Sequence, residues 1–385
     1  MKIAAEKANR VLILAALLIC LSACAAWAAE WHVATGGRDS NPGSQSSPWA
    51  TLQYAVERAQ PGDVILVHQG SYAGCRITSS GQEDAWITLQ AAPEEKVIID
   101  RPGPKNKHRS NLEIETWDGD GRVSYWIIQG FEVAYGPWAG IDIRGQEDSF
   151  NHHLNVMRNE VHHSGRTGIF VAFSDDLRAE GNQSHHNGEH GIYISNSSDR
   201  PTILDNTCRD NYACGIHMNG DASMGGDGII SGALVQGNTV YGNGRGGGAG
   251  INMDGVVESR VLANTIFDNQ AGGITLYAID AAQASRDVHL ENNTVRMPKG
   301  SRWAVNITND TCRNITMLNN TFFHADPGKG AVRIPTPGLS GLQSDHNRVT
   351  DRFSINGGGS IISLRLWQSH GWDLNSSVVT EADLN

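Results

Sequence analysis

The sequence predicts an all-β fold, a right-handed parallel β-helix with a short N-terminal capping helix. Three observations carry this expectation. Gly and Asn are in excess, a Gly-Ile pair recurs along the chain, and a single segment after the leader has helical apolar spacing. Of 385 residues, 44 are Gly and 29 are Asn, and only 18% are charged. Gly and Asn are poor helix formers and favour turns, which argues against a helical bundle. With 39% hydrophobic residues the chain can fill a core, so wholesale disorder is excluded too. The net charge of −11 makes nucleic acid a poor partner, because phosphate binding needs a cationic surface.

Residues 1–23 read as an export signal. Lys2, Lys7 and Arg10 precede the apolar run Val11–Cys20, which is too short to span a bilayer and matches a signal h-region. Leu21-Ser22-Ala23-Cys24 resembles a bacterial lipobox that would place a lipid on Cys24, while Ala26-Trp27-Ala28 offers a competing cleavage site. The expected location is therefore the outer membrane as a lipoprotein, or the periplasm or medium. The membrane is expected to be met only through that lipid, and the protein is expected to be a monomer. Cys75, Cys208, Cys214 and Cys312 contain no C-x-x-C pair, so buried thiols are expected rather than a zinc site.

Residues 24–76 read as an N-terminal strand and capping helix. Trp31-His32-Val33-Ala34 alternates like a strand, and Gly36–Gly43 is a turn cluster. Pro48–Ala59 has apolar residues at helical spacing, Pro61-Gly62-Asp63 stops it, and Val64–Val67 is a strand.

Residues 77–350 read as coils and 351–385 as a C-terminal capping segment. Gly140-Ile141, Gly168-Ile169, Gly191-Ile192, Gly215-Ile216, Gly250-Ile251 and Gly273-Ile274 recur, and Ala304-Val305 and Ala331-Val332 continue the series. Asn159, Asn182, Asn206, Asn238, Asn264, Asn293 and Asn320 each precede one of these pairs. The interval is mostly 23 to 29 residues, too few to bury an apolar face alone, so stacking must make the core. The Asn residues are expected to form an internal ladder at a bend, and the Gly residues to permit tight corners.

The segment Trp31–Tyr72 resembles the N-terminal cap of bacterial pectate-lyase-like β-helix proteins, in the elements V-A-x-x-G-x-D-S-N-P-G, S-P-W-A-T-L-Q-x-A and P-G-D-x-I-x-V-x-x-G-x-Y. Trp367-Gln368-Ser369-His370-Gly371-Trp372-Asp373 resembles the W-Q-x-x-G-x-D segment that closes many such chains. The resemblance implies polysaccharide substrates, and lyases, hydrolases and epimerases all occur among such proteins. Members that use a Lys or Arg base find no clear match, since no Lys falls in the outward columns described next.

If Ile of each Gly-Ile pair points inward, the next residue points outward, and so does the one two further on. The first outward column then contains Asp142, Phe170, Tyr193, His217, Asn252, Thr275, Asn306 and Arg333. The second contains Arg144, Ala172, Ser195, Asn219, Asp254, Tyr277, Thr308 and Pro335. Irregular insertions at Asp221–Gly228 and Gly242–Gly248 flank mid-stack, where solenoids place binding loops. A lyase acting on a uronate needs a base for the C5 proton, a proton for the leaving oxygen and neutralisation of the carboxylate. His217 and Tyr277 are the expected proton-transfer groups, with Asp254 beside them. Arg144, Tyr193, Asn219, Arg245 and Asn252 are the expected substrate contacts. A Ca2+ held by Asp221, Asp227 and Asp254 is the alternative neutraliser.

Other readings of the residues stay open. Asp221 and Asp254 could serve an inverting glycoside hydrolase, and an epimerase would use the same uronate chemistry. A non-catalytic surface carbohydrate binder or structural lipoprotein also fits. Separately, the paired His162-His163 and His185-His186 are expected to be either a metal site or stacked imidazoles at a turn.

Overall fold

The computed structural model describes residues 28–116 and 121–384. The expected export signal and Cys24 lie outside the described residues. About a dozen coils stack into three parallel sheets of 14, 12 and 11 strands. Within a coil the chain runs through the 14-stranded, the 12-stranded and then the 11-stranded sheet. No helix among the described residues is long and apolar enough to cross a membrane.

The Gly-Ile alignment is the register of the 11-stranded sheet. Ile141, Ile169, Ile192, Ile216, Ile251, Ile274, Val305 and Val332 pair in sequence. All are essentially inaccessible to solvent, and burying each such side chain contributes about 1.5–3 kcal/mol relative to exposure. The aligned Gly residues have another cause than the corner conformation expected. A Cβ on Gly168 would collide with Ser184 Oγ inside the coil. The left-handed backbone sits instead on the residue before each ladder Asn, as at Gly181 (φ 63°), Asp205 (φ 52°) and Gly237 (φ 69°).

The Asn ladder is present and buried. Asn206 donates its backbone N–H (2.9 Å) and its amide (3.0 Å) to Asn238 Oδ1. The same amide donates to Ala179 O at 2.9 Å, and Asn206 Oδ1 accepts two N–H groups from Asn182. Each amide thereby satisfies backbone groups that a bend leaves unpaired. The ladder continues to Asn347. A second one, not foreseen, joins Asn187, Asn211, Asn243 and Asn269. Its signal is legible, because each member follows a first-ladder Asn by five residues.

The capping helix is shorter than its spacing suggests. It covers Leu52–Val56, starting where the Thr51 side chain accepts from Tyr54 N. The strand Glu30–Val33 pairs with Val64–Val67, so the cap continues the 14-stranded sheet. At the other end a helix, Leu364–Gln368, buries Trp367, whose indole donates to Asp373 Oδ2 at 2.7 Å. Cys75, Cys208, Cys214 and Cys312 are free and buried.

Candidate functional site on the 11-stranded sheet

The first outward column forms as expected, and the second forms as far as Tyr277, since Thr308 and Pro335 lie beyond the ends of their strands. Asp142, Phe170, Tyr193, His217, Asn252, Thr275, Asn306 and Arg333 lie in register on successive strands. Arg144, Ala172, Ser195, Asn219, Asp254 and Tyr277 form the column beside it. The face is packed side chain on side chain: His217 and Asn252 are each only 7% exposed.

Mid-stack, one amide joins two proton-transfer candidates. Asn252 Nδ2 stands 2.7 Å from Tyr277 Oη and 3.2 Å from His217 Nδ1. Tyr193 stacks obliquely on His217 with ring centroids 4.6 Å apart, and its hydroxyl accepts from Asn219 Nδ2 at 3.2 Å. His190 completes the aromatic wall, 4.7 Å from His217 and 4.9 Å from Tyr193. His190 lies just before the Gly191-Ile192 pair and outside both outward columns, so column position alone does not point to it. Burial pushes the His217 imidazole down to about 4, so it is neutral at pH 7. Burial lowers His190 in the same way, with His217 adding to the effect. Burial raises the Tyr277 hydroxyl far above the ordinary phenol range, so it keeps its proton.

Asp254 is close to this group but committed elsewhere. It is 1% exposed, and its two carboxylate oxygens accept from Ile279 N (3.0 Å) and Asp280 N (3.1 Å). It anchors the loop after Tyr277 and presents no free oxygen to a substrate. That loop carries Asp280, whose carboxylate lies 3.4 Å from Asn219 Nδ2. The long interval between Gly273 and Ala304 was the signal for this insertion.

Three expectations are corrected by the geometry. Asp221 caps the short helical turn Ala222–Met224, accepting from Ser223 N and Oγ, and Asp227 accepts from Ile229 N. Neither carboxylate converges with Asp254, and among the described residues no group of three or more His, Cys, Asp or Glu could hold a metal ion. These residues do not fit a calcium site. Arg245 lies on the corner before the sheet, over the Tyr212 ring at 5.6 Å, in a cleft with His186 and Asp210. Arg144 is on the correct face but three strands from His217. There it donates to Asp142 Oδ1 at 2.8 Å and stacks on Trp138 and Phe170 at 4.5 and 4.6 Å.

The paired histidines are stacked imidazoles. His162 lies on His185 at 5.1 Å, and His163 on His186 at 5.2 Å. Glu160 partners His185 at 3.1 Å.

Comparison with known proteins agrees with this architecture. The Pel9A-like right-handed β-helix region matches residues 31–243. Pectate lyase L of Dickeya chrysanthemi is 26% identical over 148 residues, which is 36% of this chain and 32% of that protein. The match thus spans about a third of the curated relative's length. The structure of an alginate lyase from Paenibacillus sp. str. FPU-7 superposes with a TM-score of 0.53 at 17% identity, covering 77% of this chain and 95% of that one. A glycoside hydrolase superposes with a TM-score of 0.59 at 12% identity, covering 92% and 98%. At such identities the superpositions speak for the fold, which hosts several chemistries. With more than half of its length matched, the chain belongs to the Pel9A-like right-handed β-helix family.

Proposed function

We propose that the protein is an exported polysaccharide lyase that cleaves a uronate-containing glycan by β-elimination on the 11-stranded face. The observation that supports this most is the Asn252 amide shared by His217 and Tyr277. A neutral imidazole is a base at pH 7, and a phenol that keeps its proton is an acid. His217 takes the C5 proton, the electron pair forms the C4–C5 double bond, and the C4–O bond breaks. The leaving oxygen takes the Tyr277 hydroxyl proton, and the imidazolium restores it, so no proton is gained or lost overall.

This assignment sets the orientation of Asn252. With its nitrogen toward His217 Nδ1, the ring must carry its proton on Nε2 and cannot accept another there. Turning the amide end for end keeps both distances and reverses donor and acceptor. Its oxygen then takes Nδ1–H, and Nε2 carries no proton, as the proposed transfer of the C5 proton requires. Asn219 and Tyr193, which flank His217 on the same face, are the contacts proposed for the sugar. Export, with a lipid on Cys24, rests on the Lys2–Cys24 pattern and is part of the same proposal.

The test is a panel of acidic and neutral polysaccharides, each with and without Ca2+, read for unsaturated uronate and for new reducing ends together. A lyase yields both from a uronate glycan. Reducing ends alone indicate hydrolysis, altered uronate composition without cutting indicates epimerisation, and binding without turnover indicates a surface binder.

A further inference from the structure

The first outward column does not end at the His217 group. Three strands beyond Asn252, at Arg333, the same face opens into a cleft of about 410 Å³ lined by Arg302, Trp303, Asn306, Lys329 and Arg333. Its three cations are unmatched by any acid in the lining, in a chain of net charge −11. Among the described residues none of the three forms an ion pair. Arg333 is held rather than free to swing: Nη1 donates to Asn306 Oδ1 at 3.1 Å and Nε to Gly357 O at 2.7 Å. Arg302 is near enough to oppose its charge, adding to the effect of burial. Two arginines brought together without a carboxylate cost energy that a bound anion recovers. A fixed guanidinium fork matches the planar carboxylate.

We infer that Arg302, Lys329 and Arg333 form a second subsite, which grips a carboxylate of the same acidic glycan. It lies about 14 Å along the stack from Asn252, at the usual strand spacing. The glycan therefore runs along the stack axis toward the C-terminal coils, and an oligomer must be several sugars long to touch both places. The inference rests on the uronate reading of the His217 site for the identity of the ligand, but not on any turnover there.

Calorimetry tests it with purified oligouronates of increasing length, neutral oligosaccharides of equal length, and a sulfated oligosaccharide of equal charge. The variant is Arg302→Gln with Lys329→Gln, because among the described residues neither side chain makes a hydrogen bond, whereas Arg333 supports Asn306 and Gly357. Long oligouronates should bind the variant about tenfold more weakly, the equivalent of roughly 1.4 kcal/mol, while the shortest ones and neutral glycans should be unaffected. Equal affinity of variant and wild type, no binding of oligouronates by wild type, or a preference for the sulfated ligand would each overturn the subsite. Charge-dependent binding without any unsaturated product would keep the subsite and remove the lyase reading. Unsaturated product with unchanged oligouronate affinity in the variant would do the reverse.

Discussion

Asn252 Nδ2 lies 2.7 Å from the Tyr277 hydroxyl while facing His217 Nδ1 at 3.2 Å. One uncharged amide thereby sets both the tautomer of the imidazole and the orientation of the phenol. Asn252→Leu should remove that control. Turnover is expected to fall by about a hundredfold, in the range of positioned acid–base groups, with the melting temperature changed by only a few degrees. Asn252→Asp, which can only accept, should hold Nδ1–H and move the acidic limb of the rate profile to higher pH. Identical profiles for wild type and Asn252→Asp would contradict the role.

The buried imidazole also predicts acid lability. The His217 pKa falls from 6.5 in the open chain to about 4 in the fold. Its contribution is complete above pH 6.5 and is lost as pH falls toward 4, because protons then favour the unfolded chain. The loss amounts to roughly 3 kcal/mol. His190, lowered by burial and by His217, acts in the same direction. Denaturant unfolding of wild type and His217→Gln from pH 7 to pH 4 would measure this; equal slopes would refute it.

Asp254 is expected to act through the loop it anchors rather than by moving a proton. Asp254→Asn keeps an oxygen for Ile279 N or Asp280 N and should retain turnover within about tenfold. A proton-transferring carboxylate would cost about a hundredfold or more. Kinetics of this variant at saturating glycan separate the two roles.

A chelator should leave the rate unchanged, since Asp221, Asp227 and Asp254 are each committed to local backbone or hydroxyl donors. A rate abolished by chelation and restored by Ca2+ would contradict this.

The ladder makes a stability prediction. Asn206→Ala leaves the backbone N–H and one amide hydrogen of Asn182 without acceptors and removes a side-chain donor from Ala179 O. Unsatisfied buried groups cost about 1–3 kcal/mol each, so a loss of roughly 3 kcal/mol is expected by denaturant titration. A loss below about 1 kcal/mol would show that the ladder only fills space.

The repeat made the fold, the first outward column and the second as far as Tyr277 legible, because register in a solenoid follows directly from the alignment of Gly168-Ile169 with Gly191-Ile192 and their counterparts. Which members of a column cooperate was partly legible: His217, Asn252 and Tyr277 do meet. What sequence order hid was the partner each carboxylate takes. Asp221 and Asp254 look alike as free carboxylates beside the same strands, yet one caps its own turn and the other binds backbone amides a coil away. Arg245 misled for a related reason, since an insertion next to a strand can fold over either corner. Arg333 stood in the column from the start, but Arg302 and Lys329 reach its cleft from separate turns.

The most direct measurement follows the product rather than the rate. Wild type, His217→Gln and Tyr277→Phe are each incubated with the uronate glycan that the panel identifies, and unsaturated uronate is quantified. The account predicts unsaturated product from wild type and a loss of at least about a hundredfold in each single variant. The double variant should be no worse than the weaker single one, as for groups acting as a unit. Unsaturated product at the wild-type rate from either single variant would contradict it, as would cleavage by wild type that leaves only saturated ends.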